Sequence, residues 1–237
     1  MVYAMARMLA GRVVVVTGGF GAVGRALGAE LRAGGARVAL LDRSAAPDTL
    51  AADADTLLLG GVDLGAAGAA QAAMARVVEC WGGIDALVNV AGAFAWEPIA
   101  DGSLDTWDRM YAVNLRSAVA ACQATLPHLL RRGSGRIVNV GSMSALKAGA
   151  GVGAYTASKA GVMRLTESLA EELKDRRITV NAVLPSIVDT PANRVDMPDA
   201  DFTRWVSPPA LARIVAFLLS DDAEPLTGAC LPVAGRA

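Results

Sequence analysis

The sequence predicts an α/β fold in which one doubly wound parallel β-sheet is flanked by helices on both faces, forming a single domain. Three observations predict it. Short apolar runs recur along the chain, most of them continuous rather than alternating, as strands buried on both faces require. Amphipathic helical patterns separate these runs, and that alternation specifies right-handed βαβ units. The 237 residues, 54% hydrophobic and 19% charged, suit one extensive core better than two small ones.

The elements follow in order. Residues 12–17 (RVVVVT) form the first strand candidate and run through a glycine-rich turn into a helical pattern at 23–34. Strand candidates 37–41 (RVALL) and 56–59 (TLLL) precede a helix over 66–81. The run 84–89 (IDALVN) leads to a long pattern over 103–132, where Leu104, Trp107, Tyr111, Leu115, Cys122, Leu126 and Leu129 recur at helical spacing. The fifth run, 136–140 (RIVNV), precedes helix 154–174; the sixth, 178–184 (ITVNAVL), and helix 209–219 precede the seventh, 229–233 (ACLPV). Residues 1–8 read as a tail. The polar stretch 189–209 breaks the alternation with Pro191, Pro198, Pro208 and Pro209, and it is expected to form a lid over the ligand crevice.

Composition removes several function classes. A net charge of −1 without a Lys/Arg block argues against nucleic acid, because that affinity grows with the phosphates neutralised. Mean hydropathy is +0.40, yet the longest stretch free of charge, 117–130, is too short to span a bilayer. No partner membrane is expected. Cys80, Cys122 and Cys230 are odd in number and form no CxxC, which reads as small buried hydrophobes in a reducing, cytoplasmic setting. The single histidine, His128, reads as a helix-end surface residue, and it is too few for a metal site or a Ser-His-Asp triad. Residues 1–10 offer no apolar core for a secretory signal.

The chemistry-bearing residues gather at the carboxyl ends of the strand candidates. Thr17-Gly18-Gly19-Phe20-Gly21-Ala22-Val23-Gly24 passes from strand to helix, and Gly19, Gly21 and Gly24 satisfy G-x-G-x-x-G in that context. Such a turn lets backbone N–H groups and a helix N-terminus approach a pyrophosphate. Asp42 closes the second strand eighteen positions after Gly24, where a ribose-binding carboxylate belongs. It favours NAD(H), while the neighbouring Arg43 keeps NADP(H) open. Asp63 and Leu64 follow the third strand, and Asn89-Val90-Ala91-Gly92 the fourth, both positions facing the crevice of an open parallel sheet. The fifth strand ends at Gly141-Ser142, and Tyr155 and Lys159 follow one helical turn apart. An ammonium beside the phenol is expected to lower its pKa and make it a proton donor and acceptor, with Ser142 holding the substrate oxygen.

In this combination and order the motifs resemble those of the short-chain dehydrogenase/reductase superfamily, over about residues 9–233. The resemblance implies a Rossmann-type domain and a catalytic set of Asn114, Ser142, Tyr155 and Lys159. By it, Tyr155 is the general acid in carbonyl reduction, Ser142 orients the carbonyl, Lys159 holds the nicotinamide ribose and Asn114 serves a proton-relaying water. It also assigns Pro185, Ile187, Val188 and Thr190, after the sixth strand, to cofactor binding. The chain departs from the usual pattern at Ala22, at Val90 and at Pro185-Ser186. The stretch 184–205 resembles dihydropteridine reductases, which keep the tyrosine and lysine but generally lack the serine. Ser142 therefore favours alcohol and ketone chemistry, with pterin reduction and a non-catalytic dinucleotide-binding regulator as alternatives. Phe94, Trp96, Met143, Leu146, Met197 and Trp205 are the candidate pocket side chains for an apolar or aromatic small-molecule substrate. The resemblance further implies a homodimer or homotetramer through helices 103–132 and 154–174.

Overall fold

The computed structural model describes residues 8–236. Its centre is a seven-stranded sheet of order β3-β2-β1-β4-β5-β6-β7, parallel throughout. The strands are β1 (Val13–Thr17), β2 (Arg37–Leu41), β3 (Thr56–Leu59), β4 (Ala86–Asn89), β5 (Gly135–Val140), β6 (Ile178–Pro185) and β7 (Cys230–Val233). The order reverses between β1 and β4, which opens a crevice at their carboxyl ends.

Continuous apolar strands work here because each residue faces one of two cores. Val13 and Val15 of β1 join Leu87 and Ile137 on one face. Against that face pack α2 (Ala69–Trp81), α4 (Ser117–Arg132) and α5 (Gly153–Leu173). Val14 and Val16 join Val88 and Val138 on the other, covered by α1 (Ala22–Ala33) and α7 (Pro208–Leu219). Cys122 is buried and Cys230 half-buried, but Cys80 is exposed, so the reading of all three as buried fails at the outermost turn of α2. His128 is half-buried on α4 rather than a surface residue; burial first and Arg131 second depress its pKa. No helix among the described residues is long and apolar enough to cross a membrane.

Two segments differ from the sequence reading. The pattern over 103–132 is not one helix: α3 (Leu104–Met110) passes into a π-helical turn (Tyr111–Arg116) before α4 begins. That turn carries Asn114 into the interior, where it hydrogen-bonds to another segment, and π turns commonly mark such functional positions. The stretch 189–209 is also less irregular than expected. Thr190 caps α6 (Pro191–Asp196) with Pro191 in its first turn. Val188 bridges to Val206, with Asp189 N–H donating to Val206 O and Val206 N–H to Ile187 O, so both ends of the excursion are pinned together. Of the expected tail, residues 1–7 lie outside the described residues, and Met8 packs on the face covered by α1 and α7.

Candidate active site

The turn after β1 is shaped by close backbone packing. Gly18 has φ +65°, and a Cβ there would lie 2.8 Å from Ala91 N. A Cβ on Gly24 would lie 2.2 Å from Gly18 O, so the first turn of α1 can sit on the loop only without a side chain. Gly21 differs: the nearest atom to its Cβ would be Gly18 O, at 3.5 Å. Nothing among the described residues demands glycine there, and the bare N-terminal face of α1 leaves room for an anion. Gly19 backs onto Leu40, while Phe20 turns into the core. Ala22 and Val23 open the helix. Thr17 Oγ1 accepts from Val90 N–H and Ala91 N–H at 3.1 and 3.2 Å, tying the end of β1 to the loop after β4.

Beside this turn lies a cavity of about 400 Å³, lined by Gly18, Asp42, Arg43, Asp63, Leu64, Ala91 and Gly92 among the residues singled out from sequence. Asp42 is held in place by Phe20 N–H on Oδ2 (3.1 Å) and by Ser44 N–H and O–H on Oδ1 (3.0 and 2.9 Å). Asp63 Oδ1 accepts from Gly65 N–H at 2.9 Å. Arg109, Val113 and Ser117 also line it. Sequence reasoning missed these three, because only the break from α3 through the π turn decides which residues of 103–132 face the crevice. Asn89 points elsewhere: its Nδ2 donates to Asn139 Oδ1 (2.9 Å) and reaches Cys122 Sγ, and its buried Oδ1 has no partner among the described residues. Burial pushes the Cys122 thiol up to about 12. Pro185, Ile187, Val188 and Thr190 form the end of β6 and the entry to α6, outside this cavity. A second cavity, of about 350 Å³, opens at the opposite ends of the strands beside Arg12, Arg136 and Asp221, and holds none of the predicted site residues.

The structure brings Asn114, Ser142, Tyr155 and Lys159 together around the carboxyl end of β5. Lys159 is buried and its Nζ donates to Val140 O at 2.8 Å. The Tyr155 phenol faces Ser142, whose hydroxyl acts to lower the phenol's pKa. Asn114 Oδ1 accepts from Ala93 N–H at 2.8 Å, and its Nδ2 donates to Ala93 O at 3.1 Å and Ser158 Oγ at 2.9 Å. Ser158 in turn donates to Tyr155 O at 2.6 Å, so Asn114 reaches the tyrosine's backbone through one hydroxyl. Ser158, like Ser144 beside Ser142, was not singled out from sequence; its place three residues after Tyr155 on one helix was the available signal.

Electrostatics here correct one expectation. Burial raises the Tyr155 phenol above its ordinary value, opposed by the hydrogen bond from Ser142, rather than the ammonium lowering it. Burial also lowers Lys159 to about 8. Taking either group out of water disfavours its charged form, and here that outweighs the expected pairing.

Of the candidate substrate residues, Phe94 packs edge-on to Tyr155 with ring centroids 5.1 Å apart. Phe94, Trp96 and Leu146 remain 57%, 63% and 55% exposed. Met143 lies in the 3₁₀ turn after Ser142 and packs on Leu184 and its neighbours. Met197 ends α6. Trp205 is buried against Phe202, over which Arg194 sits at 4.7 Å.

A family model described as short chain dehydrogenase matches residues 12–200. The chain is 36% identical over 245 residues to 2-(R)-hydroxypropyl-CoM dehydrogenase of Xanthobacter autotrophicus, covering 94% of this chain and 97% of that one. It is 31% identical over 245 residues to D-beta-hydroxybutyrate dehydrogenase of Rhizobium meliloti, covering 92% and 95%. Among solved structures, 3-ketoacyl-(acyl-carrier-protein) reductase from Brucella melitensis, complexed with NADH, superposes with a TM-score of 0.88 at 28% identity, covering 96% of this chain and 98% of the other.

Proposed function

The chain belongs to the short-chain dehydrogenase family, and from that premise we propose that it interconverts an apolar alcohol and its carbonyl compound with NAD(H), Tyr155 moving the proton. Membership makes it an NAD(P)-dependent oxidoreductase of alcohol or carbonyl substrates, and this chemistry is favoured over pterin reduction and over a non-catalytic regulator. The bound nicotinamide supplies or accepts a hydride, an electron pair with its hydrogen.

The observation that carries the reading is the phenol of Tyr155 facing Ser142 at the strand-end rim, one helical turn from the buried Lys159. Ser142 orients the substrate oxygen, Tyr155 gives it a proton in reduction or takes one in oxidation, and Lys159 holds the nicotinamide ribose. Asn114 holds the loop at Ala93 against the segment bearing Tyr155. The bare face at Gly21 supports pyrophosphate binding at the N-terminus of α1. Asp42, already oriented by Phe20 and Ser44, presents a carboxylate that accepts from ribose hydroxyls and repels a 2′-phosphate, which favours NAD(H) over NADP(H). Phe94, Trp96 and Leu146 provide an apolar rim for the substrate, and the pinned excursion 189–209 is the lid above it. The catalytic unit is a homodimer or homotetramer.

Tyr155→Phe tests the reading. It is expected to lower kcat/KM about 100-fold or more across a panel of ketones and alcohols, because a positioned acid–base contributes about that much. NADH binding by fluorescence titration stays near wild type. Unchanged turnover removes Tyr155 from the proton path, and a kcat/KM with NADPH equal to that with NADH refutes the role of Asp42.

A further inference from the structure

We propose that Ser144 is a positioning residue that aims the Ser142 hydroxyl proton at the reacting oxygen. The inference rests on the role given to Ser142 above. Ser142 follows β5 in an extended conformation, and its Oγ caps the 3₁₀ turn Met143–Ala145 by accepting from Ser144 N–H at 3.2 Å. The same Oγ lies 2.7 Å from Ser144 Oγ, a contact in which either hydroxyl can donate.

A hydroxyl carries one proton and two lone pairs. When Ser144 donates, its N–H and O–H fill both acceptor positions on Ser142, and the one proton of Ser142 leaves on the remaining side, toward Tyr155. When Ser142 donates instead, its proton is spent on Ser144 and cannot reach a substrate oxygen. Only the first arrangement places a donor where negative charge develops as a carbonyl carbon accepts hydride. In it the Ser144 O–H polarises the Ser142 O–H, so the second bond of the chain strengthens the first. The substrate oxygen takes its proton from Tyr155, the carbon takes hydrogen and its electron pair from the reduced nicotinamide, and both serines keep their protons.

The experiment compares Ser144→Ala, Ser144→Thr, Ser142→Ala and the Ser142→Ala/Ser144→Ala double variant in the whole protein. Acetophenone and NADH are the kinetic probe. Ser144→Ala is expected to lower kcat about tenfold with KM within twofold, Ser144→Thr to restore most of it, and Ser144→Ala to cost nothing further once Ser142 is alanine. Tyrosinate absorbance against pH, taken as a difference from Tyr155→Phe, gives a readout that needs no turnover. There Ser144→Ala is expected to move the Tyr155 ionisation upward, because a weaker donor faces the phenolate. A Ser144→Ala variant with wild-type kcat and an unmoved ionisation overturns the proposal, as does an effect that persists undiminished without Ser142. Loss of effect in Ser142→Ala itself instead strikes the reading of Ser142 on which it rests.

Discussion

Lys159 carries a stability cost in this structure, and the direction follows from its surroundings. Its buried ammonium has one backbone acceptor, Val140 O, and burial brings its pKa from 10.5 to about 8. The folded state therefore holds this proton less tightly than the unfolded chain does. Between about pH 8 and 10.5 the unfolded state binds more protons, so stability rises with pH across that window, and below it the full cost applies. At 1.36 kcal/mol per unit, the cost is on the order of 3 kcal/mol. Lys159→Met keeps the apolar stem and removes the charge. It is expected to raise Tm at pH 7 while abolishing turnover, and the gap between variant and wild type is expected to close as pH rises from 8 to 10. Thermal melts of both proteins across pH check this; a variant that melts lower at pH 7 shows instead that the Val140 hydrogen bond outweighs desolvation. Asn114 makes the complementary case. Its buried amide satisfies both backbone groups of Ala93, so a purely apolar replacement strands them, a loss of about 1–3 kcal/mol each when buried.

At the scale of elements, the turn between β1 and α1 separates two reasons for glycine that a motif presents as one. Gly24 is required by the fold, since a Cβ would collide with the backbone of Gly18 and Gly19. Gly21 is free of that constraint. Gly24→Ala is expected to destabilise the protein by about 1–3 kcal/mol, as overpacking does, and to lose NADH affinity with it. Gly21→Ala is expected to leave Tm within about 2 °C and still weaken NADH binding several-fold, because the added methyl occupies the space above the helix N-terminus. Calorimetry and fluorescence titration on the two variants separate the cases, and equal Tm losses defeat the distinction. The strand ends, the glycine turn and the Tyr155–Lys159 helix were legible in the sequence because each is a local pattern: continuous apolar runs, glycine spacing and an i, i+4 pair. The π turn was not. Its residues keep a helical apolar rhythm through Leu104, Trp107, Tyr111 and Leu115, and the extra residue in the turn answers to Asn114 reaching Ala93, 21 positions back in the chain. The same limit explains Arg109, Val113 and Ser117, whose facing depends on that turn.

For the whole molecule, one stripe along α3 and the π turn leaves apolar side chains in water. Leu104 and Tyr111 are 80% and 56% exposed, and Trp107, between them on the same helical face, is also exposed. Apolar groups left in water at helical spacing suit an isologous interface between two copies, and they lie on the first of the two helices, 103–132 and 154–174, expected to form it. Light scattering at micromolar concentration is expected to give a dimer or tetramer, and Leu104→Glu to shift it toward monomer with little change in Tm. A wild-type monomer contradicts the assembly.

The sequence by itself determined the parallel sheet, its strand order of events along the chain and the dinucleotide-type crevice, because periodicity and glycine spacing act within a few residues of each other. Tertiary structure alone decided which side chains face that crevice, and it reversed the expected balance at Tyr155. Whether an ammonium lowers a neighbouring phenol's pKa or burial raises it depends on how much water the fold removes from each, and that is set by segments distant in the chain.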